Sequence, residues 1–258
     1  MDRPNTENGK ENERVICVDE NTGLLFWEFV YEAKYKSLDY DKGPRASITI
    51  AGNYAYGLGA MGHAFCLNLN SGKAVWFRDL IREENCSFPI WGFSASPLIL
   101  DDFVLYHAGG ADSGNILALD LNSGKTQWTA GKDTKAGYAP PLLIRTGNAR
   151  QLVCWGPTRI MGLPIGGGEE IWSIPYDVKY GVSIAKPIFE EGIVLVCGYW
   201  NGTRAIQVFN NGQGAKLIWA EEEKLRGLMA QPLYREGIIY LLDRTSGLTA
   251  FRLQDGEI

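Results

Sequence analysis

Short apolar runs recur along the chain, each closed by an acidic or amide residue, a tight polar turn and a second run that carries a tryptophan. The clearest copy is Ile116 to Trp128. Ile116 to Leu119 is continuously apolar and predicts a strand buried on both faces. Asp120 closes it, Asn122-Ser123-Gly124 predicts a tight turn, and Lys125 to Trp128 begins a second strand. Gly124 can take the positive φ the turn needs, while Asp120 and Ser123 offer short acceptors for turn N–H groups.

As a pattern, the unit is small residue, x, Asp, x, x, Ser/Thr, Gly, x, x, x, Trp. Cys17-Val-Asp19 with Gly23 and Trp27 fits it closely, and so does Cys66-Leu-Asn68 with Gly72 and Trp76. Gly162-Leu-Pro164 with Gly167-Gly168 and Trp172 keeps the spacing without the acceptors, and Asn210-Asn211-Gly212 before Trp219 alters the turn. Ala250-Phe-Arg252 with Asp255-Gly256 begins a sixth copy whose tryptophan position lies past Ile258. Trp27, Trp76, Trp128, Trp172 and Trp219 stand 49, 52, 44 and 47 residues apart, a period that belongs to blade-type arrays. Four short strands fit each interval, and a lone four-stranded blade cannot bury both faces. The expectation is therefore an all-β propeller of four-stranded antiparallel blades, five to six of them, forming an incomplete ring.

The blades are expected at about 13–31 (partial), 46–78, 95–129, 141–173, 185–220 and 231–258 (partial), one domain over 13–258, with residues 1–12 a flexible polar start. Alternating strands send the first-to-second and third-to-fourth turns to one face and the remaining connections to the other. The first set is short and generic. The second carries Arg45, Met61, His63, Trp91, Tyr138, Trp155, Arg159, Trp200 and Arg244, and is the candidate binding face.

The chain has 258 residues, 45% of them hydrophobic, enough for a substantial core. A net charge of −5 leaves no basic stripe, which argues against nucleic acid and points to protein, glycan or small-molecule partners. No apolar run approaches a membrane span, and Met1 to Arg14 lacks the apolar centre of a signal peptide. Because the sequence opens in one blade and stops in another, localisation stays open. Of five cysteines, Cys17 and Cys66 occupy one repeat position and Cys154 and Cys197 another. Packing rather than disulfide bonding is expected, and with only His63 and His107 a zinc site is not.

These hairpins resemble the quinoprotein-like propellers, whose blades are held by a tryptophan-docking motif and whose founding members are pyrroloquinoline-quinone (PQQ) alcohol dehydrogenases. Gly43-Pro-Arg-Ala46, Gly57-Leu-Gly-Ala-Met-Gly62 and Trp91-Gly-Phe-Ser94 are similar to the PQQ-binding-like repeat proteins abundant in bacteria, a group related to the propeller lipoprotein of the outer-membrane assembly machinery. The resemblance implies seven or eight blades in the full array and export to the periplasm.

The same repeat serves enzymes and scaffolds. Family dehydrogenases are similar to one another in a calcium site, a catalytic Asp and often an adjacent Cys-Cys bridge. This sequence has no Cys-Cys pair, and its one Asp-Asp pair, Asp101-Asp102, falls in a generic turn, as does Gly166-Gly-Gly168. No catalytic residue, metal or cofactor is therefore assigned. The five tryptophans and Gly23, Gly72, Gly124 and Gly168 are read as structural. For Trp91, Tyr138 and Trp200, lining of a central channel competes with loop packing, and Arg45 is expected to brace its loop. Two functions remain: a non-catalytic scaffold presenting one loop-rich face to protein or glycan, which is preferred, and an oxidoreductase of the PQQ-dehydrogenase type, or another enzyme, using that face.

Overall fold

The computed structural model describes residues 1–4, 10–110, 114–227 and 229–258. Within them the chain forms six antiparallel sheets in sequence order. The first pairs β1 (Asn12–Val18) with β2 (Leu25–Glu32). The second holds β3 (Thr49–Ala51), β4 (Tyr54–Leu58), β5 (His63–Asn68) and β6 (Ala74–Asp79), followed by one turn of helix, α1 (Leu80–Glu83). The third holds β7 (Leu98–Leu100), β8 (Phe103–His107), β9 (Ile116–Asp120) and β10 (Thr126–Ala130). The fourth holds β11 (Leu142–Thr146), β12 (Ala149–Trp155), β13 (Arg159–Pro164) and β14 (Trp172–Pro175). The fifth holds β15 (Ile188–Glu190), β16 (Ile193–Gly198), β17 (Gly202–Val208) and β18 (Ala215–Glu221), and the sixth β19 (Leu233–Arg235), β20 (Ile238–Asp243) and β21 (Gly247–Arg252). This is a series of propeller blades.

The middle strands of the second to fifth sheets are apolar runs because these sheets are packed on both faces. Along β8 and β9, Val104, Tyr106, Leu117 and Leu119 join Tyr56, Cys66 and Trp76 of the second sheet. The residues between them, Leu105, Ile116 and Ala118, join Leu152, Cys154, Met161 and Leu163 of the fourth. Strand pleating thus sends alternate side chains into two different cores. The outward faces of the first and sixth sheets instead expose Phe26, Leu233 and Leu248.

The turn after each third strand forms as its residues dictate. Asp120 Oδ1 accepts from the N–H groups of Asn122 and Ser123 and from the Ser123 hydroxyl, at 3.2, 2.7 and 2.7 Å. The small residue of the repeat lies directly opposite the tryptophan: Cys17 faces Trp27, Cys66 faces Trp76, Ala118 faces Trp128, Gly162 faces Trp172 and Ala205 faces Trp219. Trp27, Trp76 and Trp219 then reach into the following sheet, donating to the carbonyls of Leu69, Leu121 and Leu253 at 2.7, 2.9 and 2.8 Å. Gly124 sits against the Trp76 ring at φ +67°; an added Cβ would come within 2.6 Å of the indole, so glycine is required twice over.

In the β13–β14 turn it is Gly167 that lies against Trp128, where an added Cβ would come within 2.9 Å, whereas at Gly168 it would approach Pro164 at 3.8 Å; Gly166, Gly167 and Gly168 all take positive φ. Two expectations need correction. Trp155 is not on the surface; it ends β12 inside the core, 1% exposed and stacked on Tyr176 at 5.7 Å. The polar start is not loose where it is described. Asp2 bridges to Arg14 through backbone and side chain, the Glu11 carboxylate accepts from the Tyr35 N–H, and Asn12 already lies in β1; residues 5–9 fall outside the described residues.

A candidate interaction surface

The connections on the long-loop face bring five rings into contact. Tyr138, between the third and fourth sheets, meets Trp91, between the second and third, at 5.8 Å. Trp91 meets Tyr180, between the fourth and fifth sheets, at 6.4 Å. Tyr180 meets Trp200, in the β16–β17 turn, at 6.2 Å, and Trp200 meets Tyr199 at 4.7 Å. Two cations lie over this ridge. Lys179 Nζ sits 5.2 Å from the Tyr180 ring centre and 4.9 Å from that of Trp200. The Arg244 guanidinium, from the β20–β21 turn of the sixth sheet, sits 4.7 and 4.8 Å from Tyr199 and Trp200.

Backbone hydrogen bonds hold these loops in place. The Trp91 N–H donates to the Tyr138 hydroxyl at 3.3 Å, and the Tyr138 N–H to the Ser183 carbonyl at 2.9 Å. The Val178 N–H donates to the Pro157 carbonyl at 2.8 Å, and the Lys179 N–H to Asn201 Oδ1 at 3.2 Å, tying the Tyr180 loop to both neighbours. Arg244 Nη1 donates to the Tyr199 carbonyl at 3.1 Å, bridging the fifth and sixth sheets. Tyr180 carries a φ of 61°, unusual for an aromatic residue, and projects its ring outward with 56% exposure. Beside it, Pro89, Ile90, Lys135, Tyr138, Pro157 and Tyr180 line a cavity of about 150 Å³.

Four of the residues singled out in the sequence meet here: Trp91, Tyr138, Trp200 and Arg244. Others do not. Met61 and His63 line a separate open cavity of about 620 Å³ together with Lys34, Lys36, Asp79 and Arg82. The His63 ring lies 5.5 Å from Phe77 in a stacked pair, its Nδ1 has no hydrogen-bond partner among the described residues, and burial lowers its pKa. Arg45 donates to the carbonyls of Gly43 and Asp41 and braces its own loop. Arg159 lies 3.8 Å from Glu170. Tyr180, Lys179 and Tyr199 were not singled out; the available signal was an aromatic-basic pair in a blade-to-blade connection, the class that also holds Trp91 and Tyr138.

One buried pair has the composition of a nucleophile and a base. Cys154 Sγ lies 3.4 Å from His107 Nε2, but Nε2 also accepts the Gly137 N–H at 3.0 Å and Nδ1 faces the Ala139 carbonyl at 3.0 Å. The proton therefore sits on Nδ1, and the imidazole is neutral and fully engaged. Burial pushes the Cys154 thiol well above its ordinary value, and neither side chain is exposed, so the pair is packing rather than chemistry. Among the described residues no three His, Cys, Asp or Glu side chains converge as a metal site.

The family described as outer membrane protein assembly factor BamB matches residues 11–258. The chain belongs to this family. It is 23% identical to the outer membrane protein assembly factor BamB of Yersinia pestis over 259 aligned positions, covering 94% of this chain and 60% of that protein. With the BamB of Moranella endobia (strain PCIT) it shares 24% identity, covering 81% of this chain and 51% of the relative. It thus spans between half and two thirds of the length of these relatives. The crystal structure of BamB from Moraxella catarrhalis superposes with a TM-score of 0.65 at 21% identity, covering 100% of this chain and 70% of that one. A europium-containing methanol dehydrogenase superposes at 0.61 with 12% identity over 89% of this chain and 58% of its own, a likeness of fold alone. Within the BamB family, a PQQ-like propeller scaffold is the architecture to which the ridge belongs, and among the described residues no helix is long and apolar enough to cross a membrane.

Proposed function

We propose that this chain is a non-catalytic propeller scaffold whose aromatic ridge binds a protein partner, in the setting of outer-membrane protein assembly and in an exported, periplasmic compartment. The observation that carries this reading is the continuity of the ridge. Four partly or fully exposed rings, backed by the buried Tyr138, and two cations from five separate connections form one surface, and aromatic and arginine side chains are the residue types that dominate binding energy at protein interfaces. The family membership supports the assembly setting. The reading assigns no cofactor and no catalytic residue: the Cys154–His107 contact is sealed in the core, and among the described residues no cluster of the carboxylates a calcium-quinone site would need converges on the ridge.

A photo-crosslinking residue at Tyr180, compared with one at Asn122 in a generic turn on the other face, tests this. Capture of an assembly partner from Tyr180 and not from Asn122, lost when Trp91 and Trp200 are both changed to Ala, is the expected result. Equal capture from the two positions, or capture that survives the double substitution, overturns it. Saturable binding of PQQ with calcium-dependent dye reduction would favour the oxidoreductase, and retention on a glycan matrix would reassign the ridge to sugar.

A further inference from the structure

We infer that the segment bound by the ridge is an acidic stretch of polypeptide carrying one apolar anchor, an assignment that rests on the ridge being a protein-binding surface. The chain as a whole is acidic, with a net charge of −5, and seven of its thirteen arginines, Arg14, Arg78, Arg150 and Arg252 among them, lie within ion-pair distance of a carboxylate. The ridge cations do not. Among the described residues, Lys135, Lys179 and Arg244 have no carboxylate within ion-pair distance, although Asp177 lies on the same connection as Lys179. Arg226, whose carbonyl accepts the Arg244 N–H at 2.8 Å, adds a further guanidinium without an ion-pair partner; its Nε is buried and makes no hydrogen bond. The acid nearest in sequence, Asp243, is turned inward and spent on the N–H groups of Arg226, Thr245 and Ser246 at 2.7, 2.8 and 2.7 Å.

The charges of Lys179 and Arg244 instead face the quadrupoles of Trp200, Tyr180 and Tyr199. A ring face holds a cation in position without neutralising it, so the charge remains available to a partner. Carboxylates complement it, and complementarity of this kind selects partners and speeds encounter. The apolar part of the partner is set by the cavity beside Tyr180: about 150 Å³, lined by Pro89, Ile90, Tyr138 and Pro157, with Lys135 on its wall. That space admits a side chain and excludes the body of a helix, which is about 10–12 Å across.

The test is fluorescence anisotropy with the whole chain and three labelled synthetic peptides of one length, all bearing one leucine, whose other positions alternate Gly with Glu, Gln or Lys. The Glu peptide is expected to bind at least about tenfold more tightly than the Gln peptide, with an affinity that falls as salt rises past about 0.1 M. Lys179→Glu, an exposed and structurally mild change, is expected to weaken the Glu peptide and strengthen the Lys peptide, and Lys179→Glu with Arg244→Glu to reverse the preference. Equal binding of the Glu and Gln peptides, or a Glu-peptide affinity untouched by Lys179→Glu, overturns the inference. Inorganic polyphosphate binding as tightly as the Glu peptide also overturns it, because it would show affinity for anions in general. If no peptide binds while Tyr180 still crosslinks a protein, the acidic assignment fails and the interaction surface stands; if neither occurs, both fail.

Discussion

The Trp172 indole donates to the Gln151 side-chain oxygen at 2.6 Å, folded back over its own sheet, whereas Trp27, Trp76 and Trp219 donate to a carbonyl of the sheet that follows. Gly162 opposite it makes room: a Cβ there would lie 2.1 Å from the indole nitrogen. Gln151 Nε2 in turn donates to the Gly212 carbonyl of the fifth sheet at 3.3 Å. Gln151 is fully buried and relays the contact that the altered Phe209–Gly212 turn does not accept directly.

Gln151→Leu keeps the bulk and removes both bonds, leaving the Trp172 N–H and the Gly212 carbonyl without this partner. A loss of about 1–3 kcal/mol is expected, read as a lower urea midpoint with an unchanged slope. An unchanged midpoint would show that the relay contributes nothing.

Trp76 and Trp128 separate the hydrogen bond from the ring. Trp76 Nε1 donates to the Leu121 carbonyl, while Trp128 Nε1 is buried without a partner among the described residues. Both Trp→Phe changes shrink the ring, so Trp76→Phe is expected to cost about 1 kcal/mol more than Trp128→Phe, the net value of one such bond. Equal costs in denaturant titrations would assign all the stabilisation to packing.

The fold was legible in the sequence where its causes are local. Asp120 with Gly124 makes its turn from its own residues, and the alternating cores of β8 and β9 follow from apolar runs too long for a half-exposed strand. What failed depended on side-chain direction or on another sheet. Trp155 lies next to the loops, yet the β12 pleat turns its ring inward onto Tyr176. Gln151 reads as an ordinary polar residue until Gly212 and Trp172 are brought to it. Within the ridge, Trp91, Tyr138, Trp200 and Arg244 were readable from the kind of connection each occupies. Tyr180 was not, since nothing in Asp177-Val-Lys-Tyr-Gly181 announces a left-handed tyrosine.

His107 gives the fold a pH dependence of predictable sign. Burial holds its imidazole below its ordinary pKa, since protonating Nε2 would expel the Gly137 N–H. The unfolded chain takes up that proton near pH 6.5 and the folded chain does not, so stability is intact above about 6.5 and falls as pH drops below it. His63, also lowered by burial, acts in the same direction. With only two histidines in the chain, each ring can be followed by NMR. The His107 resonance is expected to keep its neutral, Nδ1-protonated form at a pH where the unfolded chain is already protonated; titration near 6.5 would contradict the buried geometry.

Tyr180 separates stability from binding on the ridge. Its left-handed backbone costs an L-residue about 1 kcal/mol, which glycine would relieve, while glycine adds a similar entropy to the unfolded chain. The ring is mostly exposed and its contacts with Trp91, Trp200 and Lys179 are peripheral to the cores. Tyr180→Gly is therefore expected to leave the unfolding free energy within about 1 kcal/mol of wild type while partner affinity falls about tenfold or more. Tyr180→Phe, which keeps the ring and the strain, is expected to bind nearly as wild type. The two readouts are thermal unfolding and partner titration on the same samples. A Tyr180→Gly chain that binds normally would remove this ring from the surface, and one that unfolds early would make the left-handed turn a structural requirement rather than a means of displaying the ring.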